Sequence, residues 1–266
     1  AVMGSLCRLK LNYKKAEEFA RKAIKLNPNF SPSYQILGNI LQDQNKLEEA
    51  EKVIRKAIKM NPNLAELYLT LGNILHKTGQ LKQAEIKFLK AFELKPDSLD
   101  SVFNLSLIQM LQGDYKSGLK NYESRFERSN GAPAHAQPQI PRWRGELPKE
   151  GEILLIITEQ GLGDTIHFMR YIPYLREKGY EVILCAQESL NPLIKESGIE
   201  SNLITKQQAN QMLDGKYCPL LSLPLHLGVT QNNPIVSEPY ISTKSELTEK
   251  WKDIFKEEER PLIGIS

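Results

Sequence analysis

Residues 31–64, SPSYQILGNILQDQNKLEEAEKVIRKAIKMNPNL, decide how the first half of the chain folds. Tyr34, Leu37 and Leu41 recur at helical spacing and lay one apolar stripe on a first helix. Ala50, Ile54 and Ala57 lay a second stripe on a second helix. Gly38 and Ala50 are small, so the two helices can approach closely. Asn61-Pro62 ends the second helix, because proline lacks the amide donor and restricts the residue before it.

The unit then repeats. Ala16, Ala50, Ala84 and Gly118 stand 34 residues apart, as do Pro28, Pro62 and Pro96, and Gly4, Gly38 and Gly72. Tyr68, Leu71, Gly72, Leu75, Ala84, Phe88, Ala91 and Pro96 restate the scheme. In the unit from about Leu99, Ser106 replaces the glycine and Gly118 the alanine. Its second helix runs on through Tyr122 and Phe126, as a terminal cap should. A 34-residue helix-turn-helix period is the tetratricopeptide (TPR) repeat, so residues 1–130 are expected to form an all-α solenoid. Its concave side is lined by first helices, which places Gln35, Asn39 and Gln42 there, with Leu69, Asn73 and His76. Asn39 and Asn73 occupy equivalent positions. They read as peptide-holding amides, with Gln35 and His76 beside them, or as polar filler on a solvated groove. His76 has no partner at metal-ligand spacing.

Residues 129–152 break the pattern with Gly, Pro and Ala, and 131–150 read as a linker. Trp143 within it favours burial against a domain. Arg142 and Arg144 suit a phosphate, or pairing with surface acids.

Residues 153–175, ILLIITEQGLGDTIHFMRYIPYL, open the second half. Ile153–Thr158 is a short β-branched run, the pattern of a strand buried on both faces. Gln160 to Asp164 form a tight turn whose two glycines permit positive φ, and Ile166, Met169, Ile172 and Leu175 continue as a helix. Strand, glycine turn and helix begin a Rossmann-like α/β domain, expected over 151–260. The dinucleotide fingerprint wants a third glycine where Ile166 stands, although Glu188 after the next strand imitates a ribose-binding acid. Asp164 falls at the expected N-cap, so capping and chemistry are both open to it.

Gly163-Asp164-Thr165-Ile166-His167 after a hydrophobic strand resembles the start of the heptosyltransferase-type glycosyltransferases of GT-B fold. The longer string EQGLGDTIHFMRYIPYL, preceded by Arg142-Trp143-Arg144-Gly145 and a repeat array, is similar to bacterial TPR-linked glycosyltransferases. The resemblance implies that Asp164 is the general base for an acceptor hydroxyl. It sets Gln160, Gly161, Gly163, Thr165 and His167 around that acceptor. A Leu-Ser-Leu-Pro segment closes the cleft in that family, which brings in His226, a residue that also reads as structural. Pro173 departs from the family by nearly a turn, so the acceptor pocket is expected to differ.

Further along, Tyr180–Ala186 reads as a second strand, Pro192–Ser197 as a helix and Leu203–Thr205 as a third strand. Tyr217–His226 reads as a strand and turn between prolines. Glu246–Glu257 reads as an amphipathic helix carrying Trp251, Ile254 and Phe255 on one side. Residues 261–266 read as the start of a truncated second α/β domain, which in GT-B enzymes holds the nucleotide-sugar donor. The expectation is therefore part of a longer protein, with no cofactor or metal in this stretch and no activity by itself.

Composition sets outer limits. The chain has 266 residues, a net charge of +3 and 41% hydrophobic residues, enough for two cores. Residues 1–130 carry 21 Lys+Arg against 14 Asp+Glu, and residues 131–266 carry 14 against 18. The basic half alternates its signs, which suits a solvated face and not a nucleic-acid track. Three scattered cysteines, no secretory signal and no bilayer-length apolar run point to a cytoplasmic protein. Two functions follow: a glycosyltransferase half with repeats docking a protein, peptide or acceptor, or a non-catalytic TPR scaffold.

Overall fold

The computed structural model describes residues 13–128, 131, 134–147, 149–159, 161–199, 202–235 and 239–256. The chain divides into two compact units, 1–131 and 132–266.

In the first unit, helix α1 (Tyr13–Leu26) precedes three helix pairs. These are α2 (Ser31–Asp43) with α3 (Leu47–Met60), α4 (Ala65–Lys77) with α5 (Leu81–Leu94), and α6 (Leu99–Leu111) with α7 (Tyr115–Tyr122). The first helices also touch one another, α2 on α4 and α4 on α6. Small residues set the spacing within pairs. A Cβ on Gly72 would sit 2.6 Å from Phe88 Cδ1, and one on Gly38 2.5 Å from Ile54 Cγ1. Ala50, Ala84, Ile54 and Phe88 are fully buried there. Each pair turns at one left-handed residue: Asn45 (φ 59°), Gly79 (φ 75°) and Gly113 (φ 86°), again 34 positions apart. Asparagine tolerates that conformation better than other side chains, so it can stand where the later repeats use glycine. The last pair is capped by side chains, Ser98 accepting from the Ser101 amide and Asp114 from the Ser117 amide. The array then ends in a 3₁₀ turn, Glu123–Phe126, rather than a longer α-helix. Arg125 is buried in it, against the Tyr122 and Phe126 rings and paired with Glu123 at 2.8 Å.

The second unit holds a three-stranded parallel sheet in the order β2 (Glu181–Cys185), β1 (Ile153–Ile157), β3 (Lys216–Pro219). Leu155 pairs Ile183 on one side and Tyr217 on the other. Leu154 to Ile157 are buried, as a central strand covered on both faces requires. Single parallel bridges extend both edges, Leu184 to Leu203 beside β2 and Tyr217 to Arg142 beside β3. The third strand expected at Leu203–Thr205 is thus one bridge, and the third true strand is Lys216–Pro219. The segment expected to be a linker packs into this unit. Ala136, Ile140 and Trp143 are buried, and the His135 amide donates to the Thr158 carbonyl at 2.8 Å.

The single helix expected after the glycine turn is two, α8 (Leu162–Phe168) and α9 (Tyr171–Glu177). Pro173 explains the break: it offers no amide hydrogen, and in a continuous helix its ring would strike the Met169 carbonyl. Helices α10 (Asn191–Glu196), α11 (Lys206–Gln211), α12 (Leu223–His226) and α13 (Ser245–Ile254) complete the unit. Helix α13 buries nothing, and its Trp251, Ile254 and Phe255 are exposed. The strand expected at 261–265 lies outside the described residues, as does Gln160.

Candidate functional site

On the repeats, Gln35, Asn39, Gln42, Leu69, Asn73 and His76 are all partly exposed on the stacked first helices. Their helices' other faces carry the buried Leu37, Leu41, Leu71 and Leu75, so the two sets separate cleanly. Thr70 Oγ1 lies 3.3 Å from Asn39 Oδ1 while donating to the Glu66 carbonyl at 2.9 Å. Thr70 is thus the side chain through which α4 touches Asn39 of α2. In the third pair the equivalent positions are Phe103, Leu107 and Met110, so the polar row gives way to apolar residues. Arg128 stacks on Phe103 at 4.2 Å and is held by Asp100 at 2.7 Å.

In the second unit, the turn after β1 is fixed from beneath. The Thr158 amide donates to the Cys185 carbonyl at 3.0 Å. Gln187 donates from Nε2 to the Glu159 carbonyl, and its Oε1 accepts from Thr165 Oγ1 at 3.1 Å. One amide side chain thus ties the end of β1 to the first turn of α8. Thr158, Glu159 and Thr165 are buried there, while Gly163 and Asp164 are exposed.

Asp164 is not the N-cap. Gly161 is, and Asp164 is the third residue of α8, still within the first turn where the helix dipole favours negative charge. Gly161 has φ −76°, so its glycine is not required by a left-handed backbone. The exposed Asp164 carboxylate folds back over the Gly161 Cα, where a Cβ would stand. A Cβ on Gly163 would meet nothing within 4 Å.

His167 turns to Arg170, whose Nη2 lies 2.6 Å from its Nδ1. Burial and then the Arg170 charge lower the His167 pKa against an opposing pull from Asp164, keeping the ring neutral at neutral pH. Tyr240 donates to the Ile166 carbonyl at 2.8 Å, at the other end of the same helix.

His226 meets aromatic neighbours. Its ring packs 5.5 Å from Trp143, which meets Tyr180 at 5.6 Å just before β2. Arg142 donates to Ser222 Oγ at 3.0 Å. Burial raises the Cys185 pKa to about 11 and so makes it a poor nucleophile. Among the described residues no group of three or more His, Cys, Asp or Glu side chains is placed to hold a metal ion. No described helix is long and apolar enough to cross a membrane.

Family comparison agrees with the 34-residue period. Residues 38–79 match the family model described as TPR repeat. Residues 19–52, and residues 2–30 with 65–98, match models described as tetratricopeptide repeat. Among solved structures, MamA of Desulfovibrio magneticus RS-1 is 23% identical, with a TM-score of 0.43 over 48% of this chain and 73% of that one. An Arabidopsis OM64 TPR domain is 21% identical, TM-score 0.40, over 41% of this chain and 90% of that one. YrrB, described as a TPR protein with an unusual peptide-binding site, is 22% identical, TM-score 0.41, over 47% and 65%. No curated protein sequence matches. The first half of the chain is therefore built of TPR repeats.

Proposed function

We propose that this chain is a protein-interaction module whose TPR array binds an extended peptide segment of a partner. The observation that carries this reading is the row of Gln35, Asn39, Gln42, Asn73 and His76, partly exposed on the stacked first helices. Amides at a repeat spacing offer donors and acceptors to a peptide backbone, with little cost in burying charge. The partly buried Phe103 and Leu107 at the equivalent positions of the third pair offer that peptide an apolar contact. Selecting binders for the 266-residue chain from a random peptide library tests this. Replacing Asn39 and Asn73 together by Ala is expected to weaken the selected peptides by about tenfold or more at unchanged melting temperature. Undiminished binding to the double variant would remove the groove from the account.

A second reading concerns the α/β unit, as the Rossmann-like acceptor half of a GT-B glycosyltransferase using a nucleotide-sugar donor. The position of Asp164 favours it: exposed, directly after β1 and free of a capping role. Here the carboxylate takes the acceptor proton, Gly161, Gly163 and Thr165 shape its surroundings, and the repeats present the acceptor. Transfer of a labelled sugar from a nucleotide donor, lost when Asp164 is replaced, is its readout.

A further inference from the structure

A cavity of about 260 Å³ lies beyond the end of β2. It is lined by Ala186 and Glu188 after the strand, Asn191 and Lys195 of α10, and Leu203 to Lys206 entering α11. The Leu184–Leu203 bridge brings these segments together: the Ile204 amide donates to the Leu184 carbonyl at 2.9 Å. Among the described residues, neither Lys195 nor Lys206 has a carboxylate within ion-pairing distance. Asn191 Oδ1 is buried without a hydrogen-bond partner among the described residues, a costly state unless a donor is supplied. Thr205 is already spent, its hydroxyl and amide closing a capping box with Gln208. His135 is partly buried within the fields of Lys206 and Glu188.

Two lysines against one glutamate leave the lining net positive, which favours an anionic ligand. The buried amide oxygen and the carboxylate both ask for hydroxyl donors. The volume is below the range of drug-sized sites, too small for a dinucleotide. We propose that this cavity binds a small phosphate monoester carrying hydroxyl groups, a sugar phosphate in size. Lys195 and Lys206 hold the phosphate; Asn191 and Glu188 accept from the hydroxyls.

Isothermal titration calorimetry on the 266-residue chain tests this with ribose 5-phosphate, inorganic phosphate and ribose. Ribose 5-phosphate is expected to bind saturably, inorganic phosphate about tenfold more weakly, and ribose not at all. Lys195→Gln and Lys206→Gln should each weaken ribose 5-phosphate by about tenfold or more, and Asn191→Ala should reduce it to the level of phosphate. Lys195 and Lys206 lie at the surface, and an unchanged melting temperature without ligand shows that each variant folds. No saturable binding of ribose 5-phosphate at millimolar concentration overturns the proposal. So does equal binding by both lysine variants, or inorganic phosphate binding as tightly as ribose 5-phosphate.

Discussion

At the scale of single residues, Asp164 and Gly161 act as a pair. The carboxylate lies over the volume that a Cβ at 161 would take, and being exposed it can swing clear. Because Gly161 is the N-cap, removing the Asp164 side chain forfeits no capping hydrogen bond. Asp164→Asn is therefore expected to leave the melting temperature nearly unchanged. If Asp164 is a general base, sugar transfer by the intact protein falls by about a hundredfold or more, since an amide takes no proton at neutral pH. Comparing label transfer by the wild type and the variant checks this, and equal rates exclude Asp164 as the base. The sequence placed this acid at the turn but mistook its helix position. Local spacing does not say which residue first leaves helical geometry.

At the scale of elements, the helix pairs are set by what fits between them. Gly72 has the Phe88 ring where a Cβ would go, and that ring is fully buried with nowhere to move. Gly72→Leu is expected to cost at least about 1–3 kcal/mol, read as a lower midpoint in circular dichroism melts. An unchanged midpoint would mean that the helices part freely.

The array also carries an ion network across repeats. Glu17 of α1 meets Lys46 at 2.9 Å and Arg21 at 2.8 Å, and Arg21 reaches Glu49 of α3. Burial opposes ionisation of Glu17, but the hydrogen bonds from Lys46 and Arg21 outweigh it and hold the carboxyl at about 2. A pKa depressed by folding gives stability that is complete above the unfolded value, about 4.5, and lost as pH falls towards 2. Melting temperatures followed from about pH 5 to about pH 2 should fall less steeply for Glu17→Gln than for the wild type. Parallel curves would show that the network contributes nothing. The same scale explains the split after the glycine turn. Four apolar residues at helical spacing predicted one helix, and Pro173 overrode them by removing the amide that would bond the Met169 carbonyl, which accepts from the Ile172 amide at 3.0 Å instead.

At the scale of the whole molecule, the sequence by itself determined the repeat array. A 34-residue period in Ala, Gly and Pro is a local pattern, and each unit buries its stripe only on its neighbours. It determined β1 as well, because a run of five apolar residues has no solvated face to alternate with. Tertiary structure alone decided the order β2-β1-β3, since nothing within Lys216–Pro219 says on which side of β1 it pairs. It decided that residues 134–147 belong to the second unit: their Pro and Gly content reads as a linker, yet Trp143 fits between Tyr180 and His226. It also decided the cluster of Asn191, Lys195 and Lys206, which ordinary surface sequence conceals. Those residues line one cavity because one parallel bridge sets residues 202–204 beside β2, and a contact between distant segments leaves no periodic trace in either.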